Sequence, residues 1–383
     1  LQEGREAEVS AALEALRQAR HPLLMVGGGV VLSDTAEPLR QIVRDASLPV
    51  VYTLMGKGAI PDDWEENLGM AGMHGTWTAN MAITQCDLLL TVGARFDDRV
   101  TGSVANFAPK ARIVHFDIDQ VEINKIVHAD LSVNGDLRWS LPAFRKQLEA
   151  SPIPAVQTVT WRQELQEMKA GHPAGTRPSS EKGLSPQVVL EETAKKAGPE
   201  ALVATDVGQH QMWAAQNYTY KEPRTFLSSG GLGTMGYGVG AAIGAKYGRP
   251  DKTVVNIAGD GCFRMNMNEI ATAARYKVPI IQVVLNNHVL GMVRQWQNLF
   301  YGQRYSNTVL DDSVDFVAVS KALGANASKI TSIEEFETEF KKALTADGPT
   351  VLDVMIDSDD KVWPMVAPGA AIDTCFTDKD LDN

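Results

Sequence analysis

Two short strings carry the strongest chemical signal in this sequence: Gly259-Asp260-Gly261 at the end of one apolar run, and Asn286-Asn287 at the end of the next. Magnesium takes about six hard oxygens at roughly 2.0–2.1 Å, one or two from protein and others from phosphate and water. The Asp260 carboxylate, the Asn287 amide oxygen and the Val289 carbonyl are the candidate metal ligands. Gly259 and Gly261 leave room for a diphosphate to approach the backbone, because neither has a Cβ. Either string alone is an ordinary turn; the paired spacing is what points to a metal-held diphosphate.

Three neighbouring strings add to this. Gly230-Gly231-Leu232-Gly233-Thr234-Met235-Gly236 is a glycine-dense loop opening a small-residue helix, which by its physics is an anion-binding or tight-packing loop. Met235 taken alone reads as core filler. Asp206-Val207-Gly208-Gln209-His210 sits at a strand end and helix start, where free N–H groups attract an anion, and His210 has the alternative of a backbone-bonded helix-start histidine. Leu290-Gly291-Met292-Val293-Arg294-Gln295-Trp296 follows the asparagine pair, and its apolar members have the alternative of being core.

A second group of strings lies upstream, each at the end of a strand-like run. Gly28 and Gly29 follow the first, then Thr53, Leu54 and Met55, and then His74 within Gly-Met-His-Gly-Thr. Gly93, Ala94, Arg95, Asp97 and Arg99 form a fourth cluster, with Asp117, Ile118 and Asp136 beyond it. The triple glycine lacks the GxGxxG form and is weak evidence by itself. Arg95 and Arg99 suit charge-assisted contacts to a phosphate or flavin, or else pair with Asp97 and Asp98.

The elements that must position these residues alternate. Apolar runs at 22–26, 48–53, 87–92 and 112–117 alternate with helical sequence at 34–46 and up to Ala150, after an amphipathic opening over 1–20. The Pro, Gly and Ser content of 151–183, around a short helical piece at Trp161, reads as a linker. Alternation resumes with runs at 201–205, 253–258, 280–285 and 350–356. The expectation is an α/β chain of two doubly wound parallel-sheet domains, 1–150 and 184–383.

Acidic residues outnumber basic ones by 47 to 36 and no block of basic residues occurs, which argues against nucleic acid as a partner. Three separated cysteines with no CxxC spacing read as free thiols of a reducing, cytoplasmic compartment. No apolar run reaches the roughly 20 residues that cross a bilayer, so no membrane partner is expected.

The strand-GDG-helix-strand-NN array resembles the motif of thiamine-diphosphate enzymes, and the string from His288 to Trp296 is similar to that of acetohydroxyacid (acetolactate) synthases. The resemblance spans essentially the whole chain. It implies thiamine diphosphate held at Val207, Gly208, Gln209, His210, Gly233, Met235, Gly259, Gly261, Leu290, Gly291 and Met292, with Mg2+ at Asp260, Asn287 and Val289. It also implies that Met235 wedges under the cofactor, that Met292 and Val293 border the reaction centre, and that Trp296 shapes an acceptor pocket. FAD is implied for the first domain, and Trp363-Pro364-Met365-Val366-Ala367-Pro368-Gly369 is implied to fold over the site.

The implied activity is decarboxylation of pyruvate and condensation with pyruvate or 2-ketobutyrate, early in the synthesis of valine, leucine and isoleucine. A homodimer or homotetramer and a small regulatory subunit are the implied partners. Nothing here corresponds to the family's N-terminal pyrimidine-binding domain with its glutamate, so the chain alone is expected to be inactive. Another thiamine-diphosphate carboligase, a pyruvate oxidase and a non-catalytic cofactor-binding module are the alternatives.

Overall fold

The computed structural model describes residues 2–154, 158–173, 183–310 and 314–381. Its twelve named strands are β1 (Pro22–Val26), β2 (Val50–Tyr52), β3 (Asn67–Met70), β4 (Leu88–Val92), β5 (Arg112–Asp117), β6 (Leu131–Asn134), β7 (Leu202–Thr205), β8 (Phe226–Ser228), β9 (Val254–Gly259), β10 (Ile281–Asn286), β11 (Asn326–Ile330) and β12 (Thr350–Met355). They form two six-stranded parallel sheets, ordered β3-β2-β1-β4-β5-β6 and β11-β12-β10-β9-β7-β8. Central strands such as β1 and β4 are buried at every position, as expected when helices cover both faces of a parallel sheet. The α/β class and the two doubly wound sheets stand as expected.

The first unit comprises the described residues up to 173, Lys221–Pro223, and those from Trp363 onward; the second comprises 183–220 and 224–362. Two expected boundaries therefore move. The helix Val159–Gly171, expected as part of a linker, belongs to the first unit: Trp161 and Leu165 are buried in the core with Leu23, Leu89 and Ile83, and Trp161 Nε1 donates to the Pro22 carbonyl. The rest of the expected linker, 155–157 and 174–182, lies outside the described residues. The chain from Trp363, expected within the second domain and implied to close its site, packs in the first unit. The Val366 N–H donates to the Met73 carbonyl at 2.9 Å, and Ile372 enters the same core.

In the first sheet the direction of strand succession reverses between β1 and β4, and in the second between β7 and β9. Ligands of doubly wound sheets bind in the crevice at the carboxyl ends of such strands. The core of the second unit gathers Val239, Ala258, Phe263, Val284 and Phe316 beneath that edge. Among the described residues no helix is long and apolar enough to cross a membrane.

Candidate active site

Asp260 is the first residue of the helix Asp260–Asn266, directly after β9 at the reversal point, and it is buried. Its Oδ2 has no hydrogen-bond partner among the described residues. Burial pushes the carboxyl up to about 7, against the Gly261 and His288 backbone N–H groups that favour its charged form. A buried, underpartnered carboxylate is costly unless a cation or donor meets it.

Asn287 and Val289, both buried, line the same cavity as Asp260. The turn between them is tightly held. His288 adopts φ +57°, and the Val289 N–H donates to Asn287 Oδ1. The Leu290 N–H donates to the Thr308 carbonyl, and the Leu310 N–H to that of His288. The structure thus brings the three candidate metal ligands to one place. Among the described residues no group of three His, Cys, Asp or Glu forms a metal cluster, so a cation here relies on one carboxylate, an amide and a carbonyl, as hard-oxygen magnesium sites do.

The same cavity is lined by Val207, Gly208, Gln209 and His210 on one side and by Leu290, Gly291 and Met292 on the other. A Cβ added to its glycines would crowd the neighbouring side chains. A Cβ on Gly259 would lie 3.0 Å from His210 Nδ1, one on Gly261 2.7 Å from Leu290 Cδ2, and one on Gly291 2.0 Å from Gln209 Oε1. Met235 reaches in from the glycine-rich loop, its Cε 3.8 Å from that Gly261 position. Gly233 is exposed on the same loop, with φ +72°.

Two of these side chains do less than their type suggests. The two hydrogens of Gln209 Nε2 go to Gln295 Oε1 at 2.9 Å and to the Asp360 carbonyl at 2.7 Å. Its side chain therefore offers an acceptor, and only the backbone N–H is left to meet an anion. His210 bonds the Asp206 carbonyl and is otherwise desolvated, which drops its pKa to about 3 and leaves Nε2 bare. It is a neutral imidazole, and an anion placed against Nε2 would oppose that desolvation.

Sequence reasoning passed over the residue that anchors Met235. Asp206, fully buried after β7, accepts from the Gly236 N–H at 2.7 Å and the Gly238 N–H at 3.2 Å. Asn266 Nδ2 donates to the Gly236 carbonyl at 2.6 Å, so the loop is gripped on both sides where Gly236 turns at φ +87°.

Met292, Val293 and Trp296, on the helix Gly291–Phe300, line a second cavity of about 790 Å³ together with Phe300, Tyr301 and Arg304. Met292 and Val293 border both cavities. Trp296 stands edge-on to Phe300 at 6.0 Å between ring centroids, which makes one wall aromatic.

Asp360 closes the set from the loop after β12. It is buried, and desolvation, with Asp357 adding to it, pushes its carboxyl up to about 7 from 3.8. The folded state therefore keeps a proton that the unfolded chain releases, so stability contributed at acid pH is lost as pH rises from about 4 towards 7. Asp360→Asn is expected to flatten this fall, read as the urea midpoint at pH 5 and pH 8. Equal falls in parent and variant would remove Asp360 as the cause.

In the first unit the upstream strings gather at the carboxyl edge of their own sheet. The Gly29 N–H donates to the Gly93 carbonyl at 2.8 Å and the Thr53 N–H to that of Val26 at 2.9 Å. Gly28 packs on Met55, where an added Cβ would lie 3.0 Å from the Met55 Cβ. Leu54 is half-buried beside it, and Ala94 is buried with its carbonyl bonded to His115. Met55 and Ile118 stand exposed at this edge, and Arg95 is exposed near them.

Several expected contacts there are otherwise engaged. Asp97 caps a short helix through the Arg99 N–H, and Arg99 pairs with Asp98 at 2.9 Å. Asp136 caps the helix Leu137–Ala150 and pairs with Arg138 at 2.6 Å. Asp117 accepts from the Asp119 N–H, and His74 is buried against the Pro364 carbonyl with its pKa down to about 4. Arg99 and Asp98 are both largely exposed, and Arg95 stands exposed beside them.

Comparison with known proteins agrees with this geometry. The thiamine pyrophosphate enzyme central domain matches residues 9–144, and the thiamine pyrophosphate enzyme C-terminal TPP binding domain matches residues 206–354. The acetolactate synthase large subunit of Corynebacterium glutamicum is 45% identical over 369 residues, covering 95% of this chain and 59% of the relative. The acetolactate synthase isozyme 2 large subunit of Escherichia coli is 43% identical over 365 residues, 95% of this chain and 65% of the relative. The probable acetolactate synthase large subunit of Methanocaldococcus jannaschii is 41% identical over 376 residues, 96% of this chain and 63% of the relative. The chain spans 58% to 65% of the length of these and the other curated relatives compared. With these two domains matched in order and its relatives sharing more than two fifths of its residues, the chain carries the central and C-terminal TPP binding domains of thiamine pyrophosphate enzymes and is a homologue of the acetolactate synthase large subunits.

Proposed function

We propose that this chain carries the cofactor-binding core of an acetolactate synthase, joining decarboxylated pyruvate to a second pyruvate or to 2-ketobutyrate for branched-chain amino-acid synthesis. The observation that carries the reading is the buried Asp260 Oδ2, without a hydrogen-bond partner among the described residues, in one cavity with Asn287 and Val289 and walled by glycines where a Cβ would crowd its neighbours. Asp260, Asn287 and the Val289 carbonyl would hold Mg2+. The backbone N–H groups at the start of the helix Gln209–Asn217, with Gly259, Gly261 and Gly291, would receive the diphosphate. Thiamine diphosphate, when bound, supplies the electron sink for decarboxylation and carbon–carbon bond formation.

The chain's own groups orient and exclude water. Met235, gripped through Asp206 and Asn266, is the apolar support beneath the ring system, and Val207, Leu290, Met292 and Val293 exclude water around it. Trp296 and Phe300 form the wall against which a 2-keto-acid acceptor would lie.

FAD is proposed for the carboxyl edge of the first sheet, where Gly28, Gly29 and Gly93 let backbone approach and exposed Met55, Ile118 and Arg95 flank the opening. A homodimer or homotetramer, and a small regulatory subunit for a large subunit to bind, complete the proposal.

Thermal titration tests the site directly, since a ligand selective for the folded state raises the melting midpoint. Thiamine diphosphate and Mg2+ together are expected to raise it by several degrees, and either alone by much less. No shift with both present would overturn the site. Acetyl phosphate as the dominant product of pyruvate turnover would overturn the reaction.

A further inference from the structure

The helix Gly291–Phe300 presents Met292, Val293 and Trp296 to the two cavities, yet only one of its residues is buried, and that residue is Gln295. A surface helix is ordinarily held by an apolar stripe. Here the apolar members Met292, Trp296 and Leu299 are only half-buried, and the fully buried side chain is an amide. Gln295 Oε1 accepts from Gln209 Nε2 at 2.9 Å and from the Val362 N–H at 2.9 Å, while its Nε2 donates to the Val362 carbonyl at 3.2 Å.

The partners of Gln295 are themselves linked. Gln209 Nε2 also donates to the Asp360 carbonyl at 2.7 Å, and Trp213 Nε1 to that of Lys361 at 3.4 Å. One position before Gln295, Arg294 pairs with Asp359 at 2.9 Å and stacks over Tyr305. Residues 359–362 thus form a strip pinned between the helix Gln209–Asn217 and the helix Gly291–Phe300, with Gln295 touching both the strip and Gln209.

We propose that Gln295 is a positioning residue that locks the wall formed by Met292, Val293 and Trp296 to the Gln209 end of the adjoining cavity, so that acceptor pocket and cofactor cavity keep one register. The anchoring follows from hydrogen bonds within the second unit; the identity of the cavity's ligand rests on the function proposed above. Removing the amide leaves the Val362 N–H and one Gln209 hydrogen buried without acceptors, which costs more than the bonds themselves contribute.

Gln295→Met keeps length and volume while removing the three bonds to Gln209 and Val362. Hydrogen exchange followed by mass spectrometry is expected to show the amides of 294–300 exchanging about tenfold faster or more, with β9 and β10 unchanged, because local opening is governed by local contacts. The dissociation constant for thiamine diphosphate with Mg2+ is expected to rise about tenfold through the loosened Gln209. Gln295→Glu, which retains the accepting oxygen, is expected to fall between, and it carries the test if the methionine variant does not fold.

Unchanged helix exchange in these variants, or faster exchange spread equally through β9 and β10, would overturn the lock. Faster helix exchange with unaltered affinity would overturn its link to the cavity. If the parent chain itself binds no thiamine diphosphate, the reading of the ligand fails, while the exchange data still decide the anchor.

Discussion

Asp260→Ala is expected to weaken binding of thiamine diphosphate with Mg2+ by about 100-fold or more, since removal even of groups that merely orient metal ligands costs 10–100-fold. The same substitution is expected to leave the ligand-free protein as stable as the parent or more so. The reason lies in the burial of a carboxyl whose Oδ2 meets no donor and whose pKa is pushed up to about 7. Burying such a group is unfavourable, and alanine removes it. Calorimetric titration and thermal melts with and without ligand check both halves. An Asp260→Ala protein that binds as tightly as the parent, or melts well below it without ligand, would show that the carboxylate is structural.

The second large effect is expected at Gly27, directly after β1. A Cβ there would lie 2.2 Å from the Gly93 carbonyl oxygen and 2.4 Å from both Cα and Cβ of Ala94. These are mostly backbone atoms, fixed by bonds from the Gly27 N–H to Val92 and from the Gly29 N–H to Gly93. Neither strand end can move without breaking the register where β1 meets β4. Gly27→Ala is therefore expected to destabilise the first unit by about 3 kcal/mol, at the upper end for overpacking. For a unit of this size that is a drop of roughly 10 °C in its melting midpoint. Gly171, with nothing within 4 Å of its added Cβ, serves as the control. A Gly27→Ala midpoint equal to that of Gly171→Ala would refute the close approach.

The eight strands that sequence patterning located are the central ones of the two sheets, and the four it passed over, β3, β6, β8 and β11, are the sheet edges. The cause is physical. A central parallel strand is buried on both faces and reads as a continuous apolar run, whereas an edge strand pairs on one side and tolerates polar and small residues. Asn67–Met70 carries Asn and Gly, and Asn326–Ile330 is buried only at Ala327 and Ile330, with Asn, Ser and Lys at its other positions.

The site shows the same division. Asp260, Asn287 and the glycines around them were legible because backbone approach and metal chemistry restrict residue type. Asp206, Gln295 and Asp360 were not, because an acid or amide bonded to backbone leaves no pattern along the chain. Arg99, Asp97 and Asp136 are harder to read, because a helix cap and a short ion pair use the same residue types as a phosphate site.

The return of the chain to its starting unit also governs how this protein can be taken apart. The Ser103 N–H donates to the Ala370 carbonyl, Gly102 bridges to Ala371, and Met365 and Phe376 exchange backbone bonds, all within the unit begun by β1. An expression fragment ended at residue 173 would carry an unhemmed border, with the Met73 carbonyl and the socket of Ile372 open to water. A tail peptide spanning 363–381, added back to such a fragment, should rescue its solubility, much as a missing thread restores a seam.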